Sequence, residues 1–153
     1  MKKTIILNIS NSKRFHYDIR NHIWIFLQLP FYNENGREIK FSDKNDNSKN
    51  FIFDTGAQNT IISYNRAKEC GYLTLPVLDR VYAGGIGGGV VSCIRIMIPK
   101  ITITQNLIVK EPLVLVTEDK NVNINILGQD ILKPYSYYFD AINQVIFFDT
   151  GNL

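Results

Sequence analysis

Most of the chain alternates apolar and polar residues or carries short runs of β-branched and aromatic residues, and few windows show a helical period. The polar run at 42–50 contains no apolar residue that could anchor it and is predicted to be a loop. The expected fold class is therefore all-β. Strands are predicted at residues 4–10, 22–29, 37–41, 51–54, 60–62, 77–83, 90–98, 101–104, 107–116, 124–127, 135–140 and 144–149.

Two short segments are predicted to be helical. Ser63 can cap a helix over residues 64–70, and Gly71 can end that helix. A briefer helix is expected over Gly128–Lys133, because Pro134 cannot continue it. The remaining pattern leaves no room for a longer helix.

The composition fits a globular protein and excludes several classes of function. The 153 residues are 45% hydrophobic and 20% charged, close to the globular average. A net charge of +3, from 17 basic and 14 acidic residues, is too small and too dispersed to predict a nucleic-acid or acidic membrane partner. The two Cys alone cannot make a four-ligand zinc site, and the two His alone cannot make a three-His site, so no metal or other cofactor is expected.

The N-terminal region predicts neither a membrane span nor a secretory leader. No stretch approaches the ~18 apolar residues that a spanning helix needs. The apolar run Ile5–Leu7 follows two lysines but is broken by Asn8, well short of a leader. We therefore expect a cytoplasmic protein with reduced cysteines.

No interior linker is long enough to divide the chain. Residues 1–153 are therefore expected to form one domain, with N-terminal strands or an extension at 1–45 and the core at 50–149.

Three motifs could carry chemistry. Asp54-Thr55-Gly56-Ala57 ends an apolar strand, where a carboxyl is suited to acid–base work and Gly allows close backbone approach. The glycine cluster 84–89 joins two strands and is either a loose turn or a mobile flap with an apolar tip. The segment 126–132 is a buried strand that turns into a helix. Each motif alone is weak, because short matches recur by chance, as Asp149-Thr150-Gly151 does here.

The three motifs in this order resemble the retropepsin-like (retroviral-type) aspartic protease family, in its cellular or bacterial form. The resemblance spans about residues 50–149 and depends on Asp54–Ala57, Thr60–Ile62, Gly84–Gly88 and Asn125–Gly128. It implies one half of a closed acid-protease barrel, with a glycine-rich flap hairpin and one or two short helices.

The resemblance also implies the activity of an aspartic endopeptidase. Asp54 from each subunit of a homodimer would form a pair of carboxyl groups that activates a water. Two carboxyl groups about 3 Å apart cannot both be ionised, so the pair shares one proton, with one group ionised and the other protonated. Thr55 would cross-bond beneath the pair, and Gly56 would bond the substrate backbone. Contacts with an extended polypeptide substrate are implied for Ala57, Gln58, Gly84, Gly85, Ile86, Ile124 and Ile126.

Three alternatives stay open. One chain could pair Asp54 with Asp149, although only two residues follow that second motif and leave no room for its own scaffold. The fold could bind peptide or dimerise without catalysis, because Gln58 and Gln129 replace the acid and the Arg of viral members, as a neutral hydrogen-bonded substitute. Residues 1–45 could be a pro-segment or a dimerisation arm.

Three other residues receive structural interpretations. Asp130 is expected to cap the short helix or to accept backbone amides, not to catalyse. Cys70 and Cys93 are expected to be small buried hydrophobes and not a redox pair.

Overall fold

The structure is a computed structural model that describes residues 4–8, 15–17, 23–40, 51–86, 89–140, 142 and 145–149. In these ranges two α-helices occur, α1 (Tyr64–Glu69) and α2 (Gln129–Leu132), besides one 3₁₀ turn at Tyr72–Thr74. The remaining elements are strands, so the predicted all-β class with short helices is confirmed. The strands are β1 (Thr4–Asn8), β2 (Phe15–Tyr17), β3 (Ile23–Leu27), β4 (Phe31–Tyr32), β5 (Glu38–Ile39), β6 (Phe51–Phe53), β7 (Ile61–Ile62), β8 (Asp79–Ile86), β9 (Gly89–Met97), β10 (Lys100–Thr104), β11 (Leu107–Lys110), β12 (Leu113–Thr117), β13 (Asn125–Leu127), β14 (Ser136–Asp140) and β15 (Val145–Asp149).

The predicted strand at 107–116 is in fact two strands, β11 and β12. Glu111 adopts a positive φ of 51°, and Pro112 has no N–H to donate to a ladder. The N–H of Glu111 bonds instead to the carbonyl of Pro99 at 2.9 Å. The sequence also missed β2 and β4, which are too short to show a period.

Parts of some predicted elements lie outside the described residues. These are the strand ends at 9–10, 22, 41 and 144, the loop at 42–50 and most of the turn at 141–143. The predicted helix over 64–70 is confirmed. The Ser63 hydroxyl accepts the N–H of Arg66 at 3.2 Å, and Gly71 follows the helix with a φ of 80°.

The order of strands in the main sheet decides where the first motif lies. Eight strands form this sheet in the order β2-β3-β6-β13-β7-β12-β9-β8. β13 lies between β6 and β7, parallel to β6 and antiparallel to β7 at the pair Ile126–Ile61. The loop 54–60 connects β6 to β7 and must therefore cross the end of β13, where Gly128 follows. This crossing brings the first and third motifs together.

A second sheet joins the two ends of the chain. Its order is β1-β15-β14, and all neighbours are antiparallel. Phe148 on β15 is fully buried and packs edge-on against Phe53 of β6, with ring centroids 6.5 Å apart. Tyr137 on β14 makes the same kind of contact with Phe53 at 5.3 Å. The aromatic contacts therefore hold β14 beside the strand that leads into the Asp54 motif.

The apolar interior consists of two clusters. The larger one contains Phe51, Ile62 and Leu127 of the eight-stranded sheet together with Phe148 of the three-stranded sheet. The smaller one, which we call the hairpin cluster, lies under β8 and β9. Its buried members are Ile61, Val91, Cys93, Leu115 and Ile126, with Ala57, Val81, Ala83, Val122 and Ile124 packed against them.

Candidate active site

The Asp54 carboxylate is part of a tight turn at the end of β6. Asp54 is half-buried, and its Oδ1 accepts the backbone N–H of Gly56 at 2.9 Å. Its own N–H donates to the carbonyl of Leu127 at 3.1 Å, and its carbonyl accepts the N–H of Ala57 at 3.3 Å. The backbone of β13 and the turn thus fix where the carboxyl group lies.

The loop after Asp54 also caps α2. The first N–H groups of a helix have no partner within it. Here the N–H of Gln129 donates to the carbonyl of Ala57 at 2.8 Å, and the N–H of Asp130 donates to the carbonyl of Gln58 at 3.1 Å. Gly128 lies so close to this loop that a Cβ there would be 2.5 Å from the backbone oxygen of Asn59. Only Gly allows this approach.

Asp130 connects α2 to the start of β7. Its Oδ2 accepts the N–H of Thr60 at 2.9 Å, and its Oδ1 accepts the Thr60 hydroxyl at 2.7 Å. Oδ1 also accepts the N–H of Ile131 at 2.9 Å, so its predicted role as a partner of backbone amides is confirmed. The hydroxyl oxygen of Thr60 in turn accepts the N–H of Gly128 at 3.0 Å. The sequence did not predict this role for Thr60, because its partner Asp130 is 70 positions away in the chain.

The side chain of Gln129 has partners that the sequence did not predict. Its Nε2 donates to the carbonyl of Thr55 at 2.8 Å and to the hydroxyl of Tyr137 at 3.0 Å. Gln58 and Gln129 were expected to replace an ion pair with a neutral hydrogen bond. The hydrogen bonds of Gln129 Nε2 go instead to the Asp54 loop and to β14. Only the packing of the second sheet brings Tyr137 here, so no local sequence signal could have found it.

The structure brings three of the predicted substrate-contact residues together. Ala57, Ile124 and Ile126 all belong to the hairpin cluster. The alternation along β8 adds Val81 and Ala83 to the same cluster, which sequence reasoning did not name. Cys93 on β9 is one of its fully buried members.

The other predicted contact residues lie apart from the hairpin cluster. Gln58 is exposed on the Asp54 loop. Gly84 and Gly85 are exposed near the end of β8, where Gly85 has a φ of 89°. Ile86 is the last residue of β8 and pairs with Gly89. These positions put the glycines at the far end of the hairpin, as a flap requires.

The second Asp-Thr-Gly motif begins in the other sheet. Asp149 ends β15 and pairs in register with Ser136 of β14. Asp54, in contrast, follows β6 of the eight-stranded sheet. Asp54 and Asp149 are therefore placed by strands of different sheets.

The cysteines and the possible metal ligands add no further site. Cys70 and Cys93 are unpaired and buried in different clusters, so their predicted roles as small buried hydrophobes are confirmed. Burial raises the pKa of the Cys70 thiol to about 12 and also raises the pKa of Cys93. Within the described ranges, no group of three or more His, Cys, Asp or Glu could hold a metal ion. In the same ranges, no helix is long and apolar enough to cross a membrane.

Glu118 forms hydrogen bonds with both strands of the β8–β9 hairpin. Its carboxylate accepts Arg80 Nε at 2.8 Å and Nη2 at 3.2 Å, and the Ser92 hydroxyl at 2.7 Å. Its backbone N–H donates to the carbonyl of Ser92 at 2.9 Å. The hydrogen bond from Ser92 has the largest effect and lowers the pKa of Glu118. Burial raises this pKa, and the hydrogen bond and the charge of Arg80 lower it further, so that the net shift is downward.

We expect Glu118→Gln to lower the free energy of unfolding at neutral pH but not in acid. The pKa of Glu118 is lower in the folded state than in the unfolded state. The ionised carboxylate therefore stabilises the fold at pH values above the unfolded-state pKa of about 4.3, and this stabilisation is lost as the pH falls through the folded-state pKa. The pair is partly exposed, so the loss should be below about 1 kcal/mol. Urea unfolding near pH 6.5 and pH 3 measures it, with the exposed Glu111→Gln as the matched control. An equal loss at both pH values would contradict this prediction.

Comparison with known proteins gives a consistent result. A family model described as "gag-polyprotein putative aspartyl protease" matches residues 43–134. No curated protein matches the chain. Among solved structures, a retropepsin-like aspartic protease from Rickettsia conorii aligns at 17% identity over 95% of this chain and 98% of its own, with a TM-score of 0.53. The EIAV protease complexed with the inhibitor HBY-793 aligns at 18% identity over 77% of this chain and 91% of its own, with a TM-score of 0.44. The predicted retropepsin-like fold is confirmed.

Proposed function

Because the chain belongs to the gag-polyprotein aspartyl protease family, we propose that it is an aspartic endopeptidase that acts as a homodimer. The observation that supports this most is the environment of Asp54. Its carboxylate is half-buried, is oriented by the N–H of Gly56, and begins a loop that packs Ala57 into the hairpin cluster. A carboxyl group fixed beside an apolar wall suits acid–base chemistry on a bound peptide.

The proposed reaction uses two Asp54 carboxyls, one from each copy of the chain. The ionised carboxyl takes a proton from a water, whose oxygen attacks the carbon of the scissile peptide bond. The protonated carboxyl donates to the carbonyl oxygen, so that a neutral tetrahedral intermediate forms. The C–N bond then breaks as the nitrogen receives the proton of one carboxyl, while the other carboxyl takes a proton from a hydroxyl of the intermediate, which restores the shared proton of the pair. Atoms balance with one water consumed for each bond cleaved.

The other predicted residues have proposed roles around this pair. Thr55 would bond its counterpart in the second copy, and Gly56 would bond the substrate backbone. An extended peptide would pair with backbone in the manner of a strand, between the Asp54 loop and the flap. The proposed contact residues are Ala57, Gln58, Gly84, Gly85, Ile86, Ile124 and Ile126. Since the hairpin cluster is apolar, we propose apolar side chains on both sides of the cleaved bond.

The whole chain is proposed to be one domain, in which residues 1–45 extend the core at 50–149. These residues could also be removed as a pro-segment. Intact-mass measurement after incubation at acid pH distinguishes the two. An unchanged mass in an active protein supports the extension, whereas loss of an N-terminal fragment that accompanies activity supports the pro-segment.

Cleavage of a mixed peptide library between pH 4 and 7 tests the proposed function. We expect wild type and Asp149→Asn to cleave beside apolar residues and Asp54→Asn to be inactive. Loss of cleavage in both variants would indicate a pair made by Asp54 and Asp149 of one chain. A folded dimer that binds peptide without cleavage would overturn the proposal in favour of a binding module.

A further inference from the structure

The peptide unit between Thr55 and Gly56 links two side chains of different elements. At its nitrogen end, the N–H of Gly56 donates to Asp54 Oδ1 at 2.9 Å. At its carbonyl end, the oxygen of Thr55 accepts Gln129 Nε2 at 2.8 Å. A peptide unit is planar and rigid, so fixing its carbonyl also fixes the direction of its N–H. One peptide unit therefore connects Gln129 to the Asp54 carboxylate through two hydrogen bonds.

The Gln129 side chain is well suited to this task because it is a neutral donor with two N–H groups. A carbonyl oxygen can only accept, so the atom that faces Thr55 must be the amide nitrogen. The same nitrogen donates its second hydrogen to the hydroxyl of Tyr137 at 3.0 Å. Both hydrogens are thus used, and this fixes the plane of the carboxamide. Donation to the Thr55 carbonyl also polarises the peptide and strengthens the bond from Gly56 to Asp54.

Tyr137 in turn is held by aromatic packing. Its ring contacts Phe53 at 5.3 Å and Phe148 at 6.0 Å between centroids. Phe53 is the residue directly before Asp54. The second sheet therefore supports both the strand that carries Asp54 and the hydroxyl that orients Gln129.

We propose that Gln129 and Tyr137 are positioning residues that aim the Gly56 N–H at the Asp54 carboxylate. This proposal rests on the proposed aspartic protease function. Neither residue touches substrate or water in the proposed reaction; both act through one peptide plane. Among the described residues, Asp54 and Tyr137 are titratable groups hydrogen-bonded within this network, and Asp130 is the next residue after Gln129, with its carboxylate bonded to Thr60.

Gln129→Glu is the most informative variant, because its effect should depend on pH. The introduced carboxyl keeps the shape of the amide. When protonated it can donate to the Thr55 carbonyl, and when ionised it can only accept and repels that oxygen. Gln105→Glu, which makes the same change on the exposed turn between β10 and β11, is the matched control.

Two readouts should change together in Gln129→Glu. The amide resonance of Gly56, followed by NMR, should shift as pH rises through the ordinary Glu range near about 4.3. The rate of peptide cleavage relative to wild type should be close to one at the acid end and fall about tenfold by neutral pH, because losing the bond to the Thr55 carbonyl weakens the hydrogen bond from Gly56 to the catalytic carboxyl. The fall should appear in kcat with little change in KM. If both readouts follow Gln105→Glu, the proposal is overturned.

Tyr137→Phe tests the second residue without introducing a charge. It keeps the ring packing and removes the hydroxyl, and we expect kcat to fall several-fold, roughly threefold to tenfold. Tyr138→Phe is its control, since Tyr138 is an exposed neighbour on the same strand. Equal kinetics for the two variants would overturn the role of Tyr137.

The NMR readout separates failure of this proposal from failure of the proposed function. If wild type proves unable to cleave peptides, the Gly56 amide still reports whether Gln129 controls the peptide plane. A pH-dependent step in the Gly56 shift that Gln129→Glu shows, and that wild type and Gln105→Glu lack, would then support the positioning role even though the protease function had failed.

Discussion

Peptide cleavage by mixtures of wild-type and Asp54→Asn chains is expected to fall as the square of the wild-type fraction. In the proposed mechanism each active dimer needs two Asp54 carboxyls, so an equal mixture would leave only about a quarter of the dimers competent. Asp54→Asn alone should lower kcat by about 10³-fold or more, because Asn can neither take nor give the proton of the shared pair. The chains are mixed in denaturant and refolded together, so that dimers form at random.

The matched control for this experiment is a mixture of wild type with Asp149→Asn. Asp149 ends β15 in the other sheet, so this mixture should keep its full activity at every ratio. A linear fall with Asp54→Asn, in place of the square, would show that one chain holds a complete site. That result would contradict the homodimeric pair.

Gly128→Ala should cause the largest loss of stability among single methyl additions. A Cβ at this position would lie 2.5 Å from the oxygen and 2.6 Å from the carbon of the Asn59 peptide. These are backbone atoms of a loop held at both ends by hydrogen bonds, so the clash cannot be relieved by a side-chain movement. We expect the free energy of unfolding to fall by about 2–3 kcal/mol, the usual cost of overpacking.

Urea unfolding of Gly128→Ala and Gly89→Ala measures this difference. Gly89 is exposed, and a Cβ there would meet no atom within 4 Å, so its change should stay within about 1 kcal/mol. The Gly128 variant should also lose peptide cleavage, because the same loop carries Asp54. Similar stabilities for the two variants would show that the loop can move away from β13 without cost.

The sequence by itself determined the fold class and much of the candidate site. Period-two patterns placed most strands within a few residues, and Ser63 and Gly71 marked both ends of α1. These are local signals, set by which φ, ψ and side-chain bonds a residue allows. The order of the three motifs also identified Asp54 as the residue to test, through a resemblance that the family match supports.

Where the local signal was weak, the sequence prediction was wrong or incomplete. A short strand such as β4 shows no period, and the positive φ of Glu111 divides a run that looks continuous. Asp130 was predicted to accept backbone amides, yet its partner Thr60 could not be named. The bond joins two elements that only the sheet order brings together.

The tertiary structure alone decided how the Asp54 loop is supported. Because β13 lies between β6 and β7, the loop must cross Gly128 and deliver its carbonyls to α2. Because the second sheet packs Phe148 and Tyr137 against Phe53, the Tyr137 hydroxyl reaches Gln129 and, through it, the Thr55 carbonyl. Hydrogen bonds between residues far apart in sequence have no local pattern, since their geometry exists only after the sheets have packed.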